Sequence, residues 1–256
     1  MGKKLGQHFL RNRDILQKII EVSEINYQDR VVEIGAGMGD LTELLIKTAK
    51  EVIAIEIDPS LFKILKERFA QRENLKLINQ DALKFPFEEI GEFKVVANIP
   101  YYITKPIIFR LIEAKNLISM TLTIQKEVAQ RLVAKPGSKA YSALSIIAQY
   151  YTIAEIKFYI PPKFFSPPPA VESAVIKMDR RNAPPVELED ERLFFKIVKS
   201  AFGHRRKMIS NSLKSIINQP KEFLLKIGID PNKRAEEFKI EDFAYITNEF
   251  CKFCKR

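Results

Sequence analysis

The chain contains only two cysteines, Cys251 and Cys254, a single C-x-x-C within its last six residues. With no second pair, they do not make a four-ligand zinc site, and no metal is expected. Nine glycines and fourteen prolines in 256 residues are too few for a collagen-like or low-complexity chain, and 46% apolar residues are too many for a disordered one. No apolar run approaches the roughly 18 to 20 residues of a membrane span. No apolar core follows Lys3 and Lys4, as a secretory signal would require, so a cytoplasmic location is expected. What remains is a globular chain long enough for one medium domain and a small partner.

One charge sign dominates. Lysine and arginine number 42 against 32 acids, a net charge of +10, which favours a polyanionic partner. Two acid-free segments hold +8 of this excess: Lys3, Lys4, Arg11 and Arg13 near the start, and Arg205, Arg206, Lys207 and Lys214 over residues 200–216.

From residue 30 onward, short β-branched runs alternate with helical stretches, the pattern of a parallel sheet with crossover helices. Seven strands are predicted, at 30–35, 52–57, 75–80, 93–99, 120–125, 155–160 and 173–178. Helices are predicted at 40–49, 59–71 and 105–114, with a capped amphipathic helix at 14–22 before the first strand. The last two strands are separated only by the proline-rich stretch 161–169, which predicts a hairpin-like antiparallel edge. The fold class is therefore α/β, a doubly wound Rossmann-like sheet. After Arg181 the strand pattern stops, Asn182-Ala-Pro-Pro185 reads as a linker, and apolar residues recur at helical spacing. Domains are expected at 1–181 and 182–256, the second small and helical.

Strand one runs into Glu33-Ile-Gly35-Ala-Gly37-Met-Gly39-Asp40, a strand-to-helix turn whose glycines permit close backbone approach to a ligand. The dinucleotide fingerprint needs glycine where Asp40 stands, and an acid there opposes a pyrophosphate. A cationic or zwitterionic nucleoside suits the turn better. Strand two ends at Glu56, whose carboxylate is placed to accept from ribose hydroxyls, and strand three ends near Asp81, placed to accept from an adenine amino group.

Strand four ends in Asn98-Ile-Pro100-Tyr101. An adenine amino group conjugates its lone pair into the ring, so acceptors that hold its N–H groups favour a pyramidal, nucleophilic nitrogen. The Asn98 carbonyl is one such acceptor, Pro100 stiffens the turn, and Tyr101 offers a face for an extruded base.

With Gly6-Gln7-His8-Phe9-Leu10, Phe165-Ser-Pro-Pro-Pro169 followed by Val171 and Ser173, and Phe202 followed by Arg205-Arg206-Lys207, these motifs occur in an order that closely resembles the ribosomal RNA adenine dimethyltransferases. These are the small-subunit enzymes whose loss confers kasugamycin resistance. The resemblance covers nearly the whole chain and implies transfer of four methyl groups from S-adenosylmethionine, two to N6 of each of two adjacent adenosines near the 3′ end of 16S rRNA, during 30S subunit assembly. It implies that His8 and Leu10 join Gly35, Gly37, Glu56, Asp81 and Asn98 around the cofactor. Phe164 is expected to sandwich the base opposite Tyr101, with Phe165 as the other candidate. Lys3, Lys4, Arg11, Arg205, Arg206 and Lys207 are expected to meet RNA phosphates, with Lys126, Arg131 and Lys135 extending that surface. A monomer is expected. Three other readings stay open: a large-subunit adenine methyltransferase of the macrolide-resistance class, a non-enzymatic assembly factor, and a nicotinamide dehydrogenase, the last weakened by Asp40.

Overall fold

Runs such as Val31-Val32 and Val52-Ile-Ala-Ile55 are apolar on both faces, and such strands are stable only where helices cover both sides of a sheet. The computed structural model, which describes residues 8–204 and 206–255, builds that arrangement. Its strands are β1 (Phe9–Leu10), β2 (Arg30–Ile34), β3 (Glu51–Glu56), β4 (Leu75–Asn79), β5 (Phe93–Asn98), β6 (Leu117–Gln125), β7 (Thr152–Ile160), β8 (Phe165–Ser166) and β9 (Ser173–Arg180). Helices α1 (Arg13–Ser23), α2 (Asp40–Thr48), α3 (Pro59–Arg68), α4 (Thr104–Glu113), α5 (Lys126–Leu132) and α6 (Ala143–Tyr151) are interspersed with them.

Seven strands form one sheet in the order β4-β3-β2-β5-β6-β9-β7. The first five in space pair in parallel, and β9 runs antiparallel to β6, with Gln125 opposite Ser173. The antiparallel strand is thus inserted between β6 and β7. Ala174, Val175, Ile176 and Met178 are fully buried, which an interior strand requires and an edge strand does not. Helices α1 and α3 each begin at a side-chain cap. Asn12 caps α1 by accepting from the Ile15 N–H at 3.0 Å, and Asp58 caps α3 ahead of Pro59 at its first position.

The chain divides into two compact units. One runs to Ala129 and resumes over Ile153–Arg180; the other comprises Gln130–Thr152 and the chain from Arg181 onward. The second therefore contains more than the stretch 182–256. Ile146 and Tyr150 of α6 share a buried cluster with Phe194, Ile197 and Val198 of α7 (Glu191–Gly203) and with Phe243 and Ile246. Also in this unit are α8 (Ile209–Ser212), α9 (Pro220–Lys226) and α10 (Ile240–Cys254).

Candidate active site

The carboxyl ends of β2, β3, β4 and β5 open into a cavity of about 210 Å³, and each strand end contributes a motif read from the sequence. Gly35 and Gly37 line it after β2, Glu56 at the end of β3, Asp81 after β4, and Asn98, Pro100 and Tyr101 after β5. His8 and Phe9 reach the same cavity from the N-terminal arm. Open α/β sheets place ligands at this edge because the chain diverges there into separate loops.

The glycine turn divides its duties. Gly37, at φ 59°, lies on the cavity, and a Cβ there would stand 3.0 Å from the Phe9 ring. Gly39, at φ 87°, lies off the cavity, and its Cβ would sit 2.6 Å from Phe69 and 2.9 Å from Leu65. The third glycine is thus demanded by packing against the end of α3. Asp40, the acid that breaks the dinucleotide pattern, is paired with Arg68 at 3.1 Å.

Glu56 is buried, and its two oxygens accept separately from Gly37 N–H at 2.8 Å and Asp58 N–H at 2.9 Å. These bonds fix the carboxylate while leaving further lone pairs for a ligand. Asp81 accepts from Leu83 N–H at 2.9 Å and so is also held by the backbone. Behind them Glu33 is buried and accepts from the Thr42 hydroxyl at 2.6 Å. Burial pushes the Glu33 carboxyl up to about 8; the Thr42 hydrogen bond opposes this, and nearby Glu56 and Asp40 reinforce it.

At the corner after β5, the Asn98 side-chain N–H donates to the His8 carbonyl at 3.2 Å, leaving the amide oxygen as the acceptor of that group. The Pro100 ring packs over Gly35, 3.5 Å from where a Cβ would stand. Tyr101 is half-buried and shares a 2.7 Å hydrogen bond with the hydroxyl of Ser173, itself fully buried at the start of β9. Burial raises the Tyr101 phenol above its ordinary value, against the effect of the Ser173 bond. The His8 ring lies 5.7 Å from the Tyr101 ring, and His8 Nδ1–H donates to the Pro167 carbonyl at 2.7 Å.

Two expected residues lie elsewhere. Of the two phenylalanines, Phe165 lines the cavity and Phe164 does not, although Phe165 is itself buried in the adjoining core cluster. In the antiparallel pairing of β1 with β8, Phe9 stands opposite Ser166 and Leu10 opposite Phe165, so Leu10 and Phe165 share one face of that ribbon. Phe164 packs against the core cluster beneath, with the Lys163 ammonium 5.2 Å from its ring centre. Leu10 is buried in that same cluster and does not line the cavity. Phe9, which the N-terminal motif contains without an assigned role, and Tyr102 also line the cavity. For Phe9 the signal is a long-range strand pair, invisible to local periodicity.

Of the basic residues, Lys3, Lys4 and Arg205 lie outside the described residues. Arg11 is exposed, its guanidinium 3.8 Å from Asp40. Arg206 and Lys207 are exposed in the turn between α7 and α8. Among the described residues, no three His, Cys, Asp or Glu side chains form a group able to hold a metal ion, and no helix is long and apolar enough to cross a membrane.

A Rossmann-like sheet of this order, opening on a glycine turn and a buried strand-end acid, marks the protein as a methyltransferase, a class that draws on S-adenosylmethionine. Two solved structures align with nearly the whole chain. A dimethyladenosine transferase from Plasmodium falciparum matches with a TM-score of 0.82 and 29% identity, covering 96% of this chain and 98% of that one. The 23S rRNA methyltransferase ErmE matches with a TM-score of 0.74 and 26% identity over 94% of this chain and 98% of its own. By sequence, the ribosomal RNA adenine dimethylase family matches residues 1–252. The ribosomal RNA small subunit methyltransferase A of Caldanaerobacter subterraneus is 43% identical, covering 96% of each chain, and that of Clostridium botulinum is 45% identical over 96% of this chain and 93% of its own. The chain belongs to the ribosomal RNA adenine dimethylase family.

Proposed function

We propose that this enzyme transfers methyl groups from S-adenosylmethionine to N6 of two adjacent adenosines near the 3′ end of small-subunit rRNA, two to each, late in assembly of the 30S subunit. The observation that carries this reading is the corner after β5, where an oriented amide, a proline and an anchored tyrosine meet on the cavity that also holds Glu56 and Asp81. The residues fit the cofactor. The buried Glu56 carboxylate is held with lone pairs to spare for ribose hydroxyls, Asp81 is an acceptor for the purine amino group, and the glycine wall has no side chain to exclude the ligand.

When bound, S-adenosylmethionine supplies a methyl group made electrophilic by its sulfonium, leaving S-adenosylhomocysteine as product. This chain's residues prepare the other partner. The Asn98 carbonyl accepts from the target amino group and draws its lone pair out of conjugation. Tyr101 and Phe165 offer aromatic faces to a base taken out of its stack, a contact worth roughly 1 to 3 kcal/mol. Orientation and exclusion of water carry most of the rate, and the methylated nitrogen sheds its proton to solvent without a dedicated base. No metal takes part in this reading, since a sulfonium leaving group needs no Lewis acid.

Lys3, Lys4 and Arg11 on the N-terminal arm, and Arg205, Arg206 and Lys207 in the second unit, are assigned to phosphate contacts that position RNA without reading its sequence. The enzyme acts as a monomer in the cytoplasm, where the small subunit assembles.

The test is incubation with labelled S-adenosylmethionine and small subunits lacking the modification, followed by nuclease digestion and mass spectrometry. N6-dimethyladenosine at an adjacent pair near the 3′ end is expected. Methylation of large-subunit RNA alone would move the assignment to the class of ErmE, and cofactor and subunit binding without transfer would favour an assembly factor. Asn98→Ala is expected to cut kcat by on the order of 100-fold with a much smaller change in cofactor Kd. Equal losses in both would refute the role given to Asn98.

A further inference from the structure

Tyr101 is followed by a second tyrosine on the same short 3-10 turn, Tyr101–Ile103, where successive side chains point about a third of a turn apart. The two are held differently. Tyr101 is tied to Ser173 of β9, whereas Tyr102 is 55% exposed and nevertheless lines the cavity. What sets Tyr102 apart from the other exposed aromatic side chains is its place on the lining of the cavity. Its surroundings point to a ligand-side role. Partial burial raises the Tyr102 phenol, and the charges of Asp81 and Glu56 raise it further, so its ring stands near the two carboxylates assigned to the cofactor's nucleoside.

Those carboxylates are acceptors and can grip only the edges of a nucleoside, its hydroxyls and amino group. Neither offers anything to the face of the purine, which an aromatic ring satisfies by stacking. We propose that Tyr102 is a cofactor-binding residue that closes over the adenosine moiety held by Glu56 and Asp81, so that the adjacent tyrosines divide the cavity between target base and cofactor. This inference rests on the methyltransferase reading above.

The test is calorimetric titration of the full chain with S-adenosylhomocysteine and, separately, with adenosine. Tyr102→Ala is expected to weaken both by roughly tenfold, while Tyr102→Phe, which keeps the ring, stays within about twofold of wild type. Affinity for a 3′-terminal small-subunit RNA fragment at fixed salt is expected to be the same in all three. Because the chain has no tryptophan, Tyr102→Trp places a single indole at the site, and S-adenosylhomocysteine is expected to quench its emission. Wild-type affinity in Tyr102→Ala overturns the proposal, as does lost RNA affinity with cofactor binding intact. Wild-type protein that binds neither ligand overturns the cofactor assignment itself. Wild-type protein that binds S-adenosylhomocysteine but methylates no adenosine removes the proposed function while leaving Tyr102's role to be decided by the titration.

Discussion

Glu33 and the Tyr101–Ser173 pair show how single side chains acquire properties from their surroundings. The Glu33 carboxyl is raised from 4.5 to about 8, chiefly by burial. As pH rises above 4.5, the unfolded chain ionises at Glu33 while the folded chain retains the proton. The stability this group contributes is therefore complete below 4.5 and is lost as pH climbs through about 8. Thermal melts followed by circular dichroism are expected to show wild type losing Tm relative to Glu33→Gln across that window, and parallel curves would mean that Glu33 titrates as an ordinary carboxylate. For Tyr101, the bond to Ser173 fixes the plane of the ring assigned to the target base. A bond of this kind contributes about 1 kcal/mol, so Tyr101→Phe and Ser173→Ala are each expected to lower kcat/KM by roughly fivefold. The double variant should be little worse than either, because both remove the same bond. Losses that multiply would show that the two residues act independently. Asn98, Glu56 and Tyr101 were legible in the sequence because each stands at a strand end whose position the apolar pattern sets. Phe165 was not, because a neighbouring phenylalanine satisfies the same local pattern.

At the scale of elements, the glycine turn shows two demands written in one motif. All three glycines invite a ligand reading, yet Gly39 serves the junction of α2 with the end of α3. Gly39→Ala combines a positive φ of 87° with a Cβ 2.6 Å from the Phe69 ring, and is expected to cost about 1 to 3 kcal/mol of folding free energy. Guanidinium denaturation should show the lower midpoint, with cofactor Kd near that of wild type; a stable variant with impaired binding would return Gly39 to the cavity. The predicted strands and first four helices coincide with the observed ones to within a few residues. Helix α6 escaped because Leu144, Ile146, Ile147, Ala148 and Tyr150 are buried around most of its circumference. An amphipathic stripe, the periodic mark of a surface helix, is absent there.

For the whole molecule, the +10 charge predicts binding that weakens as salt rises, because each phosphate contact releases condensed counterions. Arg206→Ala and Lys207→Ala are each expected to reduce the slope of log K against log salt by about 0.7 to 0.9, measured by filter binding to small-subunit RNA. An unchanged slope would remove the turn between α7 and α8 from the RNA surface. The division into units was only partly legible. The linker at 182–185 marks where the chain enters the second unit for good, but Gln130–Thr152 visits it earlier and returns.

The sequence alone determined the alternation of strands and helices, the strand ends that carry Glu56, Asp81 and Asn98, and the place of the Asn98-Ile-Pro100-Tyr101 corner at the end of a strand. All of these depend on residue spacing along one stretch of chain. Tertiary structure alone decided that Phe165 rather than Phe164 touches the cavity, that Leu10 lies in the core, that β9 lies between β6 and β7, and that Glu33 is held above the usual carboxylate range. These properties arise from strand pairing and burial between residues far apart in the chain, which no local pattern encodes.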